Sequence, residues 1–269
     1  MLTTNRRQFL RAGALGITGA LIVRRAAAQG PTSAGPVDPK LLDDLVAANR
    51  ILADQGVVDG YGHVSVRHPA DAQRYLMSRS IAPELVTVTD IMEYDLDSTA
   101  VDPRGRTSYL ERFIHGEIYR ARPDVVAIVH NHSLSVIPFG VSTAPLRPLY
   151  HMSAFLGGGV PVFDIRKASA QPTDMLVRDA ALGRALAQTL GARPVALMRG
   201  HGAVVVGTSL PVVVFRSVYT EMNARLQAQA IALGPVTYLD DEEARRAEAS
   251  VGGTIPRPWE LWKKKALGR

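Results

Sequence analysis

Val125-Val126-Ala127-Ile128-Val129-His130-Asn131-His132 is the stretch on which the fold turns. Val125 to Val129 is a continuous apolar run dominated by β-branched side chains. With no polar residue alternating through it, it reads as a strand buried on both faces. His130 and His132 follow at its end. Side chains along a strand repeat every two residues, so both rings fall on one face. Their ring nitrogens could then reach one ion at about 2.0–2.1 Å. A merely polar strand end fits the same two residues equally well.

Working outward from this strand, Leu110 to Ala121 reads as a helix that stops before Pro123, and Leu134 starts a short helix. Further upstream, Pro39 to Gln55 has amphipathic spacing, with Leu41, Leu42, Leu45, Val46, Ile51 and Leu52 on one side. Gly60-Tyr61-Gly62 forms a turn into a strand over His63–Arg67, with Tyr75–Ser78 as its hairpin partner and Glu93–Leu96 as another strand. Downstream, Val160–Phe163 reads as a strand and Met175–Leu190 as a long helix. Val195–Met198 and Ala203–Val206 read as strands joined through Gly200-His201-Gly202. Pro211–Leu233 is the longest helix, Asp240–Ala249 a charged one, and a Trp-bearing tail follows. Strands and helices mix without strict βαβ alternation. That pattern predicts one three-layer α/β domain on a mixed or largely antiparallel sheet.

The chain has 269 residues, of which 46% are hydrophobic and 21% charged, so a disordered or polytopic membrane class is excluded. It has no cysteine, which leaves His and carboxylates as the ligands for any transition metal. The net charge of +6 comes mostly from residues 1–28, which carry five arginines and no acid. Beyond them 26 basic residues face 25 acidic ones, a net of +1, so no nucleic-acid partner is expected.

Asn5-Arg6-Arg7-Gln8-Phe9-Leu10-Arg11 precedes an apolar run over Ala12–Val23 and then Ala26-Ala27-Ala28. Basic end, short apolar stretch and small residues are the order of a signal peptide. The 12-residue run is shorter than the ~20 residues of a spanning helix. Paired arginines before Phe-Leu resemble a twin-arginine signal, which exports folded proteins. The expectation is cleavage near Ala28, a periplasmic protein without a membrane partner thereafter, a linker over 29–38, and one domain over 39–269 with a helical C-terminal tail. An uncleaved anchor is the alternative.

Two further features bear on chemistry. His201 sits between two glycines in a tight turn, where backbone and ligand can come close without a Cβ clash. A turn histidine capped by its own backbone is the other reading. Glu111 and His115 lie four apart and share a helix face; by spacing alone an exposed pair is the stronger reading.

Taken together, Glu111-x-x-x-His115, Tyr119-Arg120-Ala121-Arg122-Pro123-Asp124, His130-Asn131-His132-Ser133 and Gly200-His201-Gly202 resemble the class II aldolase/adducin family. Gly62-His63-Val64-Ser65-Val66-Arg67 resembles that family's Gly-Asn-x-Ser-x-Arg segment, and Glu221 fits its C-terminal helix. The resemblance runs over residues 40–235. It implies a three-layer α/β/α sandwich with a central mixed, largely antiparallel sheet, assembled as a tetramer. It also implies a divalent metal, most often Zn2+, on His130, His132 and His201, and Glu111 as the catalytic acid/base.

The sequence departs from the family's pattern in two places. Met77-Ser78-Arg79-Ser80 stands where the sugar-phosphate aldolases carry a glycine-bearing phosphate loop, and an Arg there could fork a carboxylate instead. His63 replaces the family's Asn, as in the branch that decarboxylates aromatic or ring-cleaved hydroxy acids. The resulting expectation is a metal-dependent carbon–carbon lyase acting on a small, non-phosphorylated hydroxy or keto acid. Glu111 would transfer protons and Arg79 would hold the substrate carboxylate. His63, Ser65, His115, Tyr150 and His151 would contact or orient substrate. An aldolase acting on a hydroxy-aldehyde and a non-enzymatic assembly module are the alternatives.

Overall fold

The computed structural model describes residues 30–268; the twin-arginine segment lies outside them. The elements are α1 (Pro39–Asp54), β1 (His63–Arg67), β2 (Arg74–Ser78), β3 (Ile91–Asp95), β4 (Ala100–Val101), α2 (Phe113–Ala121), β5 (Ala127–Asn131) and α3 (Ile137–Val141). After them come β6 (Val162–Phe163), α4 (Ala180–Leu190), β7 (Val195–Met198), β8 (Gly202–Gly207), α5 (Leu210–Leu233), α6 (Asp241–Gly252) and α7 (Pro256–Ala266). The strands form one sheet in the order β4-β3-β2-β1-β5-β8-β7-β6. Only β6–β7 is parallel, so the sheet is mixed and largely antiparallel.

The histidine-bearing strand β5 is central, flanked by β1 and β8, and all five of its residues are buried. Its parity sorts the two layers. Ala127 and Val129 face a core shared with α1, α5 and α7, which contributes Leu45, Leu52, Val214 and Trp259. Ile128 faces the opposite core with α2 and α4, where Ile114, Ile118 and Leu186 pack against Val204 and Val206 of β8. Helix layers therefore cover both faces, as a strand with no polar alternation requires. The first described residues are tied to this body. Asp38 caps α1 by accepting from the Lys40 amide. Ser33 and the Ala34 amide donate to Glu93 on β3.

Three expectations need correction. Residues 32–38 are not a free linker, because Glu93 and Arg74 hold them against the sheet and Val37 packs on the core. The helix expected from Met175 begins only at Ala180, where Asp179 accepts from the Leu182 amide. Met175 itself has φ +75°, a left-handed conformation that no α-helix contains. The helix expected from Leu110 is divided: Leu110–Arg112 is a 3₁₀ turn, with Glu111 at φ −91°, ψ 19°. The Trp-bearing tail is helix α7, whose Trp259 and Trp262 are buried and whose Lys263 reaches Asp44 of α1 at 2.5 Å.

Candidate metal centre

Antiparallel register places His63 of β1 opposite His130 of β5. His130 projects toward the α2 layer. The β7–β8 turn then brings His201 alongside, and the Glu111 turn closes the group from above. The ligand atoms of Glu111, His130, His132 and His201 lie within 4.8 Å of one another. His132 Nε2 is 3.2 Å from His130 Nε2 and 3.0 Å from His201 Nε2. Glu111 Oε2 is 3.3 Å from His130 Nε2 and 3.4 Å from His201 Nε2.

Two of the rings are oriented from behind. His130 Nδ1 faces the Ala203 carbonyl at 3.2 Å, and His201 Nδ1 faces the Met175 carbonyl at 3.0 Å. A carbonyl only accepts, so each Nδ1 carries the proton and each Nε2 presents a lone pair. The unusual backbone of Met175 thus aims a carbonyl at a ring. Glu111 Oε1 accepts from the Val177 amide at 2.9 Å, which leaves Oε2 for the cluster. Beyond His132, Glu221 of α5 accepts from the Ser133 and Ser135 hydroxyls and from the Ser135 amide, pinning the loop that carries the ring.

Glycines permit the close approach. A Cβ on Gly202 would fall 2.0 Å from the Asn131 carbonyl oxygen and 2.9 Å from His132 Cα. A Cβ on Gly62, at φ +97°, would meet Val58 at 2.7 Å. Both glycines therefore let neighbouring backbone lie against the ligand strand.

Burial alone would raise the Glu111 carboxyl, but His130 and His201 beside it, where protonated, hold it well below the usual carboxylate range. His201 is lowered by burial and raised more by Glu111 and the Met175 carbonyl, for a net rise. His132 is pushed down to about 4, first by burial and then by His130 and His201. An ionised carboxylate and converging imidazole lone pairs at 3.0–3.4 Å form a pocket of negative potential. Such a donor set fits a divalent cation such as zinc, which takes neutral His nitrogens and carboxylate oxygens.

Beside the donors opens a cavity of about 430 Å³, walled by Tyr61, Ile81, Ala82, Tyr109, Leu110 and Leu176. Among the described residues, no Lys or Arg lines it. Tyr61 stacks on His132 with ring centroids 6.1 Å apart. The Tyr109 hydroxyl donates to the Ile81 carbonyl at 2.5 Å, fixing the loop that follows β2. Neither tyrosine was among the residues expected from the sequence.

The remaining expected residues divide. His63 lines the cavity, while Ser65 and His115 lie behind it, joined to it by hydrogen bonds. Arg79 does not line it: its Nε donates to Asp90 at 2.6 Å, which holds the side chain against the loop before β3. Tyr150 and His151 belong to the other face. Tyr150 packs near Tyr219, and His151 lines a separate pocket with Phe155, Phe215 and Arg216. Within one chain they take no part in the metal cavity.

With this geometry in place, comparison with known proteins decides the family. Residues 43–228 match the family model described as the Class II Aldolase and Adducin N-terminal domain. The chain belongs to the class II aldolase and adducin family. Decarboxylase tropJ of Talaromyces stipitatus is 37% identical over 241 residues, spanning 81% of this chain and 91% of that protein. The 3,4-dihydroxyphthalate decarboxylase of a Terrabacter species is 32% identical over 205 residues, spanning 71% and 81%. The structure of an L-fuculose 1-phosphate aldolase from Glaciozyma antarctica superposes with a TM-score of 0.71 at 24% identity, covering 87% of this chain and 95% of that one. The fold is that of the class II aldolases, and the chain is a metal-dependent carbon–carbon lyase of this family.

Proposed function

We propose that the protein decarboxylates an aromatic or enolic acid bearing a hydroxyl beside the carboxylate, with zinc as the ion on His130, His132 and His201. The observation that carries this reading is the wall of the cavity. A basic side chain to hold a sugar phosphate is missing from the lining, and beside Gly60, Gly62 and Ser80 the cavity offers mainly aromatic and aliphatic surface. That surface suits a flat ring. The similarity to two decarboxylases points the same way.

When bound, the ion supplies Lewis acidity toward a substrate oxygen. The protein's own residues do the rest. Glu111, resting ionised, takes the proton of the substrate hydroxyl. The bond between ring carbon and carboxylate breaks, its electron pair stays on carbon, and carbon dioxide leaves. Glu111 then returns the proton to that carbon. A carboxylate held against Leu110 and Leu176 loses hydration that carbon dioxide does not need, and this favours departure.

The test is a zinc-reconstituted assay over ortho-hydroxy aromatic acids in D2O. The expected result is carbon dioxide release with one deuterium at the vacated ring position. Aldehyde release from hydroxy-aldehydes, with no carbon dioxide from any acid, would establish the aldolase instead.

Two further proposals concern context. Export through the twin-arginine route is supported by the Arg6-Arg7 segment and by a metal site suited to loading before transport. Replacing both arginines with Lys should leave the protein in the cytoplasm with residues 1–28 attached, as fractionation and mass spectrometry would report. Undiminished periplasmic protein would exclude that route. Assembly as a homotetramer is supported by family membership and by Leu110 and Leu134, which are 59% and 79% exposed around the site.

A further inference from the structure

A chain of four buried side chains leads away from the cavity. His63 Nδ1 lies 2.6 Å from His115 Nε2, and His115 Nδ1 lies 2.6 Å from Ser65 Oγ. Ser65 Oγ lies 2.8 Å from the Tyr119 hydroxyl. All four residues are at most 3% exposed. Every link joins groups able to donate or accept, so the direction of the chain must be worked out from its far end.

Tyr119 sets that direction. Its hydroxyl has two possible acceptors, Ser65 Oγ at 2.8 Å and the Val126 carbonyl at 3.3 Å. The carbonyl already accepts the Arg67 amide at 2.7 Å. The shorter and less contested acceptor is Ser65. Once Tyr119 donates to Ser65, the serine's own proton has His115 Nδ1 as its acceptor. A neutral His115 then carries its proton on Nε2 and donates it to His63 Nδ1. His63 in turn carries its proton on Nε2, which has no protein partner among the described residues, and its ring lines the cavity beside Glu111 and His130. The Arg67 guanidinium, 4.6 Å from the Tyr119 ring centre, and its hydrogen bond to the Tyr119 carbonyl hold the head of the chain in place.

We infer that Tyr119, Ser65 and His115 are positioning residues that fix His63 as its Nε2–H tautomer, so that a neutral N–H donor faces the substrate's anionic oxygens. The role toward substrate rests on the cavity being the substrate site; the tautomer does not. A neutral donor suits a carboxylate that must leave. It orients the group without the strong ion pair that an Arg would form and that would hold the carboxylate back. The same chain explains why His63 and His115 occur together. A side chain with only one ring nitrogen at position 115 could not both accept from Ser65 and donate to His63.

Zinc-loaded protein carrying ¹⁵N-labelled histidine tests this directly, with His63→Asn identifying the His63 signals. The expected spectrum shows His63 protonated at Nε2 and bare at Nδ1, without substrate present. Ser65→Ala, which removes the donor to His115, should turn that single tautomer into a mixture at unchanged zinc content. It should also raise KM for the acid by the reciprocal of the Nε2–H fraction that the spectrum reports, about twofold for an even mixture. The single variant His115→Gln, whose amide can accept from Ser65 and donate to His63, should keep the tautomer and most of the affinity; His115→Leu should keep neither. A wild-type His63 protonated at Nδ1, or a Ser65→Ala spectrum identical to wild type, overturns the inference. A protein with the expected tautomer that releases no carbon dioxide leaves the inference standing and removes the proposed reaction.

Discussion

His132→Ala should leave the purified protein without its metal and without measurable turnover, while the fold persists. The side chain reaches both neighbours of the cluster, at 3.2 Å from His130 and 3.0 Å from His201. Removing it takes away one of three nitrogen donors and opens the site on the Tyr61 side. Losing only a residue that orients a ligand costs about 10–100-fold in metal affinity, so losing the ligand itself should cost more. Stability should fall much less, because His132 lies past the end of β5 rather than in either core. Metal content by mass spectrometry and thermal unfolding separate the two effects. Full occupancy in the purified variant would remove His132 from the ligand set.

The legible parts of the fold are those whose signal is local. β1 was read at its true bounds because His63–Arg67 alternates between a polar and an apolar face. β7 was read at its true bounds because a short apolar run is closed by Pro194 and by the Gly200 turn. Periodicity failed where tertiary partners reshape the backbone. Leu110–Ala121 has helical spacing throughout, yet Glu111 leaves the α-helix so that its carboxylate can meet the Val177 amide and two histidines. Met175 has good helix propensity, yet its carbonyl is required by His201. In both places function overrides propensity, as expected at a site.

The three histidine ligands were proposed from H-x-H parity, a glycine-flanked turn and a family pattern. The cavity walls had no comparable signal. Tyr61 looks like a turn residue; only the His63–His130 register shows that its turn faces the metal strand. Arg79 follows a strand and carries the right charge for a carboxylate. Its partner Asp90, in the loop before β3, could not be placed beside it until β2 and β3 were paired, with Ser78 opposite Ile91. Tyr150 and His151 stand where the 145–153 loop leads, and that path is set by Asn223 and Gln227, which bind its backbone from α5.

Glu111→Gln should lower kcat by about 10²–10⁴-fold, the usual contribution of a positioned acid/base. The substitution keeps the shape of the side chain, and its amide oxygen can still accept from the Val177 amide, so the turn at Leu110–Arg112 should hold. What disappears is the titrating oxygen that faces His130 and His201. Positive charge at the Nε2 atoms, as ring protons or as the cation that replaces them, keeps the carboxylate ionised, so it begins the cycle as a base, and an amide cannot do that. KM should change little if the acid is bound by the cavity wall and the remaining donors, a pattern that marks an interaction made in the transition state. Zinc content reports whether Glu111 is also a ligand. A variant that keeps zinc and loses kcat places the carboxylate in proton transfer. A variant that loses zinc and regains its rate when zinc is added in excess makes Glu111 a fourth ligand, and the proton must then come from His63 or from water. His63→Asn in the same background separates those two sources: a rate that does not fall further excludes the ring.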